Sequence, residues 1–350
     1  MRIIVENGGL LSTVQDLGRW GYQGKGMPVA GAMDRQSLRM GNILAGNDEG
    51  AAALEITVLG PKAIVEGQGL VAVTGADLGF SVNGATAPTW EALPVSSGDV
   101  LTFSGPKGKG CRAYLCLSGG IDVPPVMGSR STYLRAGLGG FEGRALKKGD
   151  SLQTGEALLV EAGSGFSCPE TLRPSRNGEA PLGVLLGPQE KAFSAAGIET
   201  FLGSAYVISN EADRMGYRLE GPEIEHASEA DIISDAIPLG SIQVPGGGRP
   251  ICMLADGQTT GGYTKIAVLV STDIGALAQR LPGQTVRFVS LSFDEAIALV
   301  REERKKVDAL LDLRSAYRSR PRKASTGGRA TWRLTVEGRT YDVTWENLDG

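Results

Sequence analysis

The sequence predicts a mainly β fold of two lobes, with a few short helices and a longer helix towards the C-terminus. Three observations predict it. Glycine supplies 51 of 350 residues, about twice the usual ~7%, and it is spread along the chain, which asks for many turns. Apolar residues gather in short β-like runs bounded by Gly, Pro, Asn and Asp. A chain of 350 residues also exceeds the size at which one core keeps growing, so two domains are the default.

Residues 2–15 hold two short β-like runs around Asn7-Gly8-Gly9, followed by a Gly-rich loop from Gln15 to Asp34. Asp34 can cap a helix over Ser37–Ala45 that Gly46 stops. Strands follow at Leu54–Leu59, Ala63–Val65, Leu70–Thr74, Phe80–Val82, Val100–Phe103 and Arg112–Leu117, with a hairpin turn at Asn83-Gly84. A second Gly-rich loop runs from Ser118 to Tyr133. Residues 163–181, rich in Gly, Ser, Pro and Asn, form the domain boundary. Beyond it come strand Val184–Leu186, a short helix over 190–201 and strand Tyr206–Ser209. Asp213–Leu219 then alternates with period 2, which places Arg214 and Arg218 on one face. Ser241–Pro245 and Ile251–Leu254 are further strands, Thr272–Leu281 is a helix stopped by Pro282-Gly283, and Thr285–Val289 closes the sheet. Ser292 and Glu295 form a capping box that launches a helix to about Arg318, with Ile297, Val300, Val307 and Leu311 on one face and Arg304 interrupting it. Residues 332–345 read as a two-stranded hairpin. The resulting division is an N-terminal β lobe (1–170), a second β lobe (180–292), a charged helix (293–320) and a hairpin extension (324–350). Gly98–Phe103 and Gly283–Phe288 echo each other, a generic turn-into-strand pattern that suggests related lobes.

Composition narrows the function. A net charge of −4 argues against nucleic acid as the main partner. No apolar run reaches the ~18 residues of a membrane span, and Met1–Glu6 is too short and acidic for a signal peptide, so a cytoplasmic protein is expected. The four cysteines lack C-x-x-C spacing and fit free buried thiols. With His226 as the single histidine, no His-rich metal site can be built, and no metal is expected. Neither a P-loop nor a dinucleotide-binding glycine turn is present.

The most informative segment is Ala255-Asp256-Gly257-Gln258-Thr259-Thr260-Gly261-Gly262-Tyr263-Thr264-Lys265. It places a carboxylate, an amide, hydroxyls, a phenol and an ammonium around a glycine pair, directly before an apolar strand. Such a loop suits polar recognition close to the backbone. A hairpin whose Thr residues cap their own backbone is the equal alternative.

Thr13–Arg19, Gly31-Ala32-Met33-Asp34, Gly128–Thr132, Asp213–Leu219 and Gln258–Tyr263 occur in the same order in the biotin-dependent carboxyltransferase-like family. The chain resembles that family from about residue 2 to 290. The family includes the C-type subunit of 5-oxoprolinase, KipA and the second allophanate hydrolase subunit. The resemblance implies two cyclophilin-like β-barrel lobes and a heteromeric complex with a B-type subunit or KipI-type partner. Three activities are compatible with it. In a 5-oxoprolinase, the B-type and C-type subunits use ATP, with Mg, at the level of the complex to phosphorylate the lactam, and a LamB-type third subunit opens the ring. In urea carboxylase, the similar region passes a carboxyl group to an amide nitrogen from biotin carried on another domain or chain, loaded by a biotin carboxylase. KipA antagonises a kinase inhibitor without catalysis. Val336 to Val343 resembles the opening strands of biotinyl carrier domains, though no Met-Lys-Met follows.

Both enzymatic activities require an amide or lactam to be oriented and a transferred group to be held. Asp256 (as general base), Gln258 and Lys265 are the expected catalytic residues. Gln243, Thr259, Thr260, Gly261, Gly262, Tyr263, Arg214 and Arg218 are the expected binding residues. The Gly261-Gly262 amides can form an oxyanion pocket. Arg214 and Arg218 equally suit structural ion pairs. Asp16, Arg19, Asp34, Ser129 and Arg130 either line the same cleft or tie the lobes together.

Overall fold

The structure, a computed structural model, describes residues 1–157, 164–175, 180–318, 330–336 and 339–345. It is mainly β. In the N-terminal lobe one sheet runs in the order Ser151–Gln153, Arg2–Asn7, Lys62–Glu66, Val100–Phe103, Phe80–Val82, Ala85–Thr86. A second runs Leu11–Gln15, Ala53–Thr57, Arg112–Leu117, Gly69–Gly75, Ala92–Val95. Alternate residues of both sheets, among them Ile3, Val5, Leu54, Val73, Phe80 and Leu115, share one core. The other face of the second sheet is also covered. Ala53, Ala72, Tyr114 and Cys116 pack with helix α1 (Arg35–Ala45), which explains the unbroken apolar run in Arg112–Leu117.

Local chemistry sets the boundaries. Asn83 and Gly84 take positive φ (53° and 80°), the turn geometry a two-residue hairpin needs. The Asp34 carboxylate accepts from Ser37 N and so caps α1, and Gly46 ends the helix in the left-handed region.

The second lobe is an eight-stranded sheet ordered Thr285–Val286, Tyr206–Ile208, Gly216–Glu220, Ile251–Met253, Ser241–Gln243, Lys265–Leu269, Leu182–Leu186, Phe288–Ser290. Its two end strands are separated in the chain by Arg287 alone. The segment 285–290 therefore bridges both edges and brings the sheet close to a closed barrel. Helices α2 (Ala195–Gly203) and α3 (Ser271–Ala278) complete this lobe, with Phe201, Tyr206, Tyr217, Ile242, Leu277 and Phe288 among its core. The expected helix over 190–201 begins later, because Glu190–Ala192 forms a 3₁₀ turn and Ser194 caps α2 through Gly197 N.

Helix α4 (Phe293–Arg318) starts at the Ser292–Glu295 capping box, with Ser292 N donating to Glu295 at 2.8 Å. Its buried stripe differs from the expected one. Val307 and Leu310 are fully buried against α1, while Val300 is exposed, because the helix docks through its C-terminal half. Ala330–Val336 and Arg339–Trp345 pair as an antiparallel hairpin.

The lobes are tied by polar groups as well as apolar ones. Met33 leaves the N-terminal lobe to join the core of the second. Ala30 N donates to Ala255 O at 2.8 Å. Buried Gln279, at the end of α3, donates to the Asp34 carboxylate (3.0 Å) and to Arg112 O (3.0 Å), and accepts from Arg112 N (2.9 Å) and Cys111 N (3.2 Å). Its single amide thus satisfies four groups of the other lobe. Replacing Gln279 by Ala is expected to lower stability by about 2–4 kcal/mol, since buried donors and a carboxylate oxygen lose partners together. Urea unfolding reads this as a lower midpoint, and an unchanged midpoint would remove Gln279 from the inter-lobe tie.

Candidate functional site

After strand Ile251–Met253 the chain turns at residues 255–256 and re-enters β structure at Thr260–Tyr263. There it pairs with Asp231–Ala236 as a two-stranded ribbon in the register Ala236↔Thr260, Asp235↔Gly261 and Asp231↔Tyr263. One side of this ribbon borders a cleft of about 740 Å³ between the lobes. Gln258, Thr259 and Thr260 form one wall, and Trp20, Pro28, Val29 and Arg35 of the N-terminal lobe form the other. Leu239, Leu254, Ala255 and Ile274 supply apolar surface. The side chains of Gln258, Thr259 and Thr260 make no hydrogen bond among the described residues. An apolar hollow with a few free amide and hydroxyl groups at its edge is the usual form of a small-molecule site.

The residues behind this wall are fixed. Gly261 and Gly262 have extended backbones without positive φ, so they form a strand and not the expected oxyanion turn. Glycine is still required at 261, where a Cβ would lie 2.6 Å from Ile237 Cδ1 and 3.0 Å from Gln243 Nε2. Gln243 is buried and donates to Tyr263 O. Lys265 is wholly buried, with Nζ 2.8 Å from Asp235, and Gln189 donates to the same carboxylate at 3.1 Å. Lys265 therefore anchors the ribbon to the barrel and does not face the cleft. The bond from its ammonium also holds the Asp235 carboxyl below the usual range. Tyr263 is 41% exposed and does not line the cleft.

Asp256 is 3% exposed, and both its oxygens are engaged by Arg214 at 3.0 and 2.9 Å. Arg214 also reaches into the other lobe, to Glu55 at 2.5 Å and Gly31 O at 2.8 Å. Burial alone would lower the Arg214 pKa, but Asp256 and Glu55 carry it above the ordinary value. The expected free base at Asp256 and ligand cation at Arg214 instead pair with each other within the second lobe, and Arg214 carries the link across to Glu55. Glu55 is further held by Tyr114 Oη (2.8 Å) and Met33 N (2.8 Å).

Arg218 departs from its expected face. Asp213 accepts from Met215 N and Gly216 N, so residues 213–215 form a turn, and the strand begins at Gly216. Arg214 swings inward while Arg218 points out, pairs with Glu211 at 3.0 Å and borders a different hollow.

Asp16 accepts from Gly18 N, Ser129 Oγ, Arg130 N and Ser131 Oγ. Buried Arg19 donates to Ser131 O at 2.6 Å, and burial lowers its pKa despite nearby Asp16 and Asp256. These residues, Ser129 and Arg130 included, fasten the second Gly-rich loop and do not line the cleft. Asp34 caps α1 and borders an adjoining hollow. The His226 ring packs tilted against Phe193 (4.6 Å) with Nε2 near Val244 O and Thr264 Oγ1, a structural setting. Sequence reasoning missed Trp20 and Arg35. Both lay within or beside the Gly-rich loop already singled out, and their stacking at 4.7 Å depends on a fold that brings loop and helix together. Among the described residues, no group of three or more His, Cys, Asp or Glu side chains is arranged to hold a metal ion, and no helix is long and apolar enough to cross a membrane.

Residues 25–290 match the family model described as "Carboxyltransferase domain, subdomain A and B". The chain belongs to this family. Among curated proteins, it is 38% identical over 302 residues to the C-type subunit of 5-oxoprolinase from Escherichia coli, covering 86% of this chain and 95% of that one. It is 32% identical to urea amidolyase of Saccharomyces cerevisiae, covering 83% of this chain but only 17% of that protein. The crystal structure of Kluyveromyces lactis urea carboxylase superposes with a TM-score of 0.82 at 32% identity, covering 88% of this chain and 29% of that one. The chain thus spans nearly all of the bacterial protein and a fraction of the urea enzymes.

The geometry of this carboxyltransferase-family domain separates anchors from free groups, and stability measures the difference. Asp256→Ala is expected to cost about 3–5 kcal/mol by leaving Arg214 buried and half-neutralised. Gln258→Ala is expected to stay within about 0.5 kcal/mol of the parent, as for a surface change. Thermal or urea unfolding of both variants checks this, and equal stabilities would mean that Asp256 is not an anchor.

Proposed function

We propose that this chain is the C-type subunit of an ATP-dependent 5-oxoprolinase, acting with a B-type partner to activate the lactam of 5-oxoproline for opening to glutamate. The observation that carries the proposal is the near end-to-end match to the Escherichia coli 5-oxoprolinase protein, 95% of its length, against 17–29% for the urea enzymes. In this reading the inter-lobe cleft binds the lactam. Gln258 Oε1 accepts the lactam N–H, which pushes nitrogen lone-pair density onto the carbonyl oxygen. That oxygen then attacks the γ-phosphorus of ATP and ADP departs. Thr259 and Thr260 hydroxyls satisfy the remaining polar edge, while Gly261, Gln243 and Lys265 hold the wall in place. Bound Mg-ATP supplies the phosphoryl group. The described residues of this chain offer neither a glycine phosphate loop nor a carboxylate cluster for Mg, so the nucleotide is assigned to the B-type partner. A LamB-type third subunit would complete ring opening.

Carboxyl transfer is the second reading, favoured by the family's description and by the superposition on urea carboxylase. The same Gln258 contact would then raise the nucleophilicity of an amide nitrogen, with carboxybiotin delivered from another domain or chain loaded by a biotin carboxylase. A non-enzymatic KipA-like antagonist would bind a KipI-type protein without turnover.

The complex of this chain with its B-type partner should hydrolyse ATP only when 5-oxoproline is present. Gln258→Ala and Thr260→Ala should each lower kcat/KM for 5-oxoproline by about 10- to 100-fold without changing Tm. Wild-type turnover unaffected by both replacements would take the lactam out of this cleft. Carboxyl transfer from carboxybiotin without 5-oxoproline-dependent ATPase would replace the first reading by the second.

A further inference from the structure

Arg35 and Arg39, four residues apart on the first turns of α1, border the hollow of about 350 Å³ that adjoins the inter-lobe cleft, and Arg35 lines both spaces. Both side chains are partly buried, yet neither makes a hydrogen bond or an ion pair among the described residues. Arg35 Nη2 and Arg39 Nε are fully shielded from solvent and have no partner there. Shielding a guanidinium N–H without an acceptor is costly, and here, unlike at the other shielded arginine nitrogens, two such groups border one open hollow where an anion would relieve the cost. Arg214 of the inter-lobe contact is by contrast matched at all three nitrogens, by Asp256, Glu55 and Gly31 O.

The lining of the hollow also includes the Asp34 carboxylate, which is held by Ser37 and Gln279. Arg35 rests on the Trp20 ring at 4.7 Å, a contact that uses its face and leaves the edge N–H groups free for a planar acceptor. Burial and then Arg39 push the Arg35 pKa down to about 10, and Glu303 of α4 offsets only part of this. Arg304, also on the rim, is already paired with Glu49 and Asp308. Opposite the arginines, Ser271 and Thr272 open α3, whose first turn has no side-chain cap at Val270.

We propose that Arg35, supported by Arg39 and Ser271, forms a carboxylate subsite of the cleft, so that the site selects amides or lactams bearing an acidic group over neutral ones such as urea. The proposal rests on the lactam reading above and sharpens it. The amide of the substrate meets Gln258 on one wall, and its carboxylate meets the Arg35 fork on the other. A neutral amide would leave the guanidinium unmatched, which is how a buried polar group discriminates against a ligand lacking its partner.

The test uses the complex with its B-type partner and two lactams, 5-oxoproline and 2-pyrrolidone, which lacks the carboxylate. For wild type the kcat/KM ratio should favour 5-oxoproline strongly. Arg35→Gln should collapse that ratio by about 10- to 100-fold, mainly through KM, and Arg35→Lys should restore part of it. An equal loss for both lactams, or no loss, overturns the subsite. A separate arm needs no turnover: calorimetric titration of the purified chain with 5-oxoproline and with its neutral carboxamide. Weaker binding of 5-oxoproline alone in Arg35→Gln, by tenfold or more, sustains the subsite even if the complex turns over neither lactam and the lactam reading falls. Should Arg35→Gln instead break the complex with the B-type partner while leaving 5-oxoproline binding intact, the arginines are a protein contact and the proposal fails.

Discussion

The Arg214 guanidinium holds this molecule in its working shape. One fork grips Asp256 at the base of the recognition segment, while the remaining contacts reach Glu55 and Gly31 in the other lobe. The group is almost wholly buried, so its charge is tolerated only while both carboxylates stay in place. The cleft is a gap between two bodies, and its width depends on how they are fastened. Arg214 fastens them within two residues of Gln258. Gly31 belongs to the same junction for a steric reason: a Cβ there would lie 2.7 Å from Gly18 N, so the loop can pass close enough to present its carbonyl only as glycine.

A division of labour follows along the segment 255–265. Residues whose side chains face inward (Asp256, Thr264, Lys265) are buried, and Asp256 and Lys265 are engaged by Arg214 and Asp235. Residues at the turn (Gln258, Thr259, Thr260) keep their polar groups free at the cleft. A cleft wall built this way has donors and acceptors standing on firmly held backbone, because the next side chains are locked from behind. The same logic separates Arg35 from Arg214: equal chemistry, but the protein supplies acceptors for one and leaves the other open to the cleft.

Much of the fold was legible in the sequence because its signals are local. The Asp34 cap, the Gly46 stop, the Asn83-Gly84 turn and the Ser292–Glu295 box each depend on a few adjacent residues, and each sits where the pattern predicts. The closing segment 285–290 was legible for the same reason. Strand Asp231–Ala236 was not, because it is largely exposed, with Ile233 94% accessible, and shows no inward apolar face to set a period. Its partner Thr260–Tyr263 reads as a loop for the corresponding reason: Gly261 and Gly262 carry no side chains, and Gly261 packs against Ile237 and Gln243. On α4 the periodicity was correct in kind, but only tertiary docking chooses Val307 and Leu310 over Val300.

The candidate site was legible to the extent that its chemistry is contiguous. Gln258, Thr259 and Thr260 announce themselves by composition alone. Asp256 looked like a base and Arg214 like a ligand-binding cation because a reacting site would use both groups, and only the distance between them shows that each is the other's partner. The reverse error hid Arg35, one charged residue at the start of an ordinary helix. Its want of a hydrogen-bonded carboxylate is a property of three dimensions, created when Trp20 covers one face and α3 closes in from the second lobe. Charge that the fold has neutralised reads the same in a sequence as charge that it has left open. In this molecule the second kind borders the cleft at the junction of the two lobes.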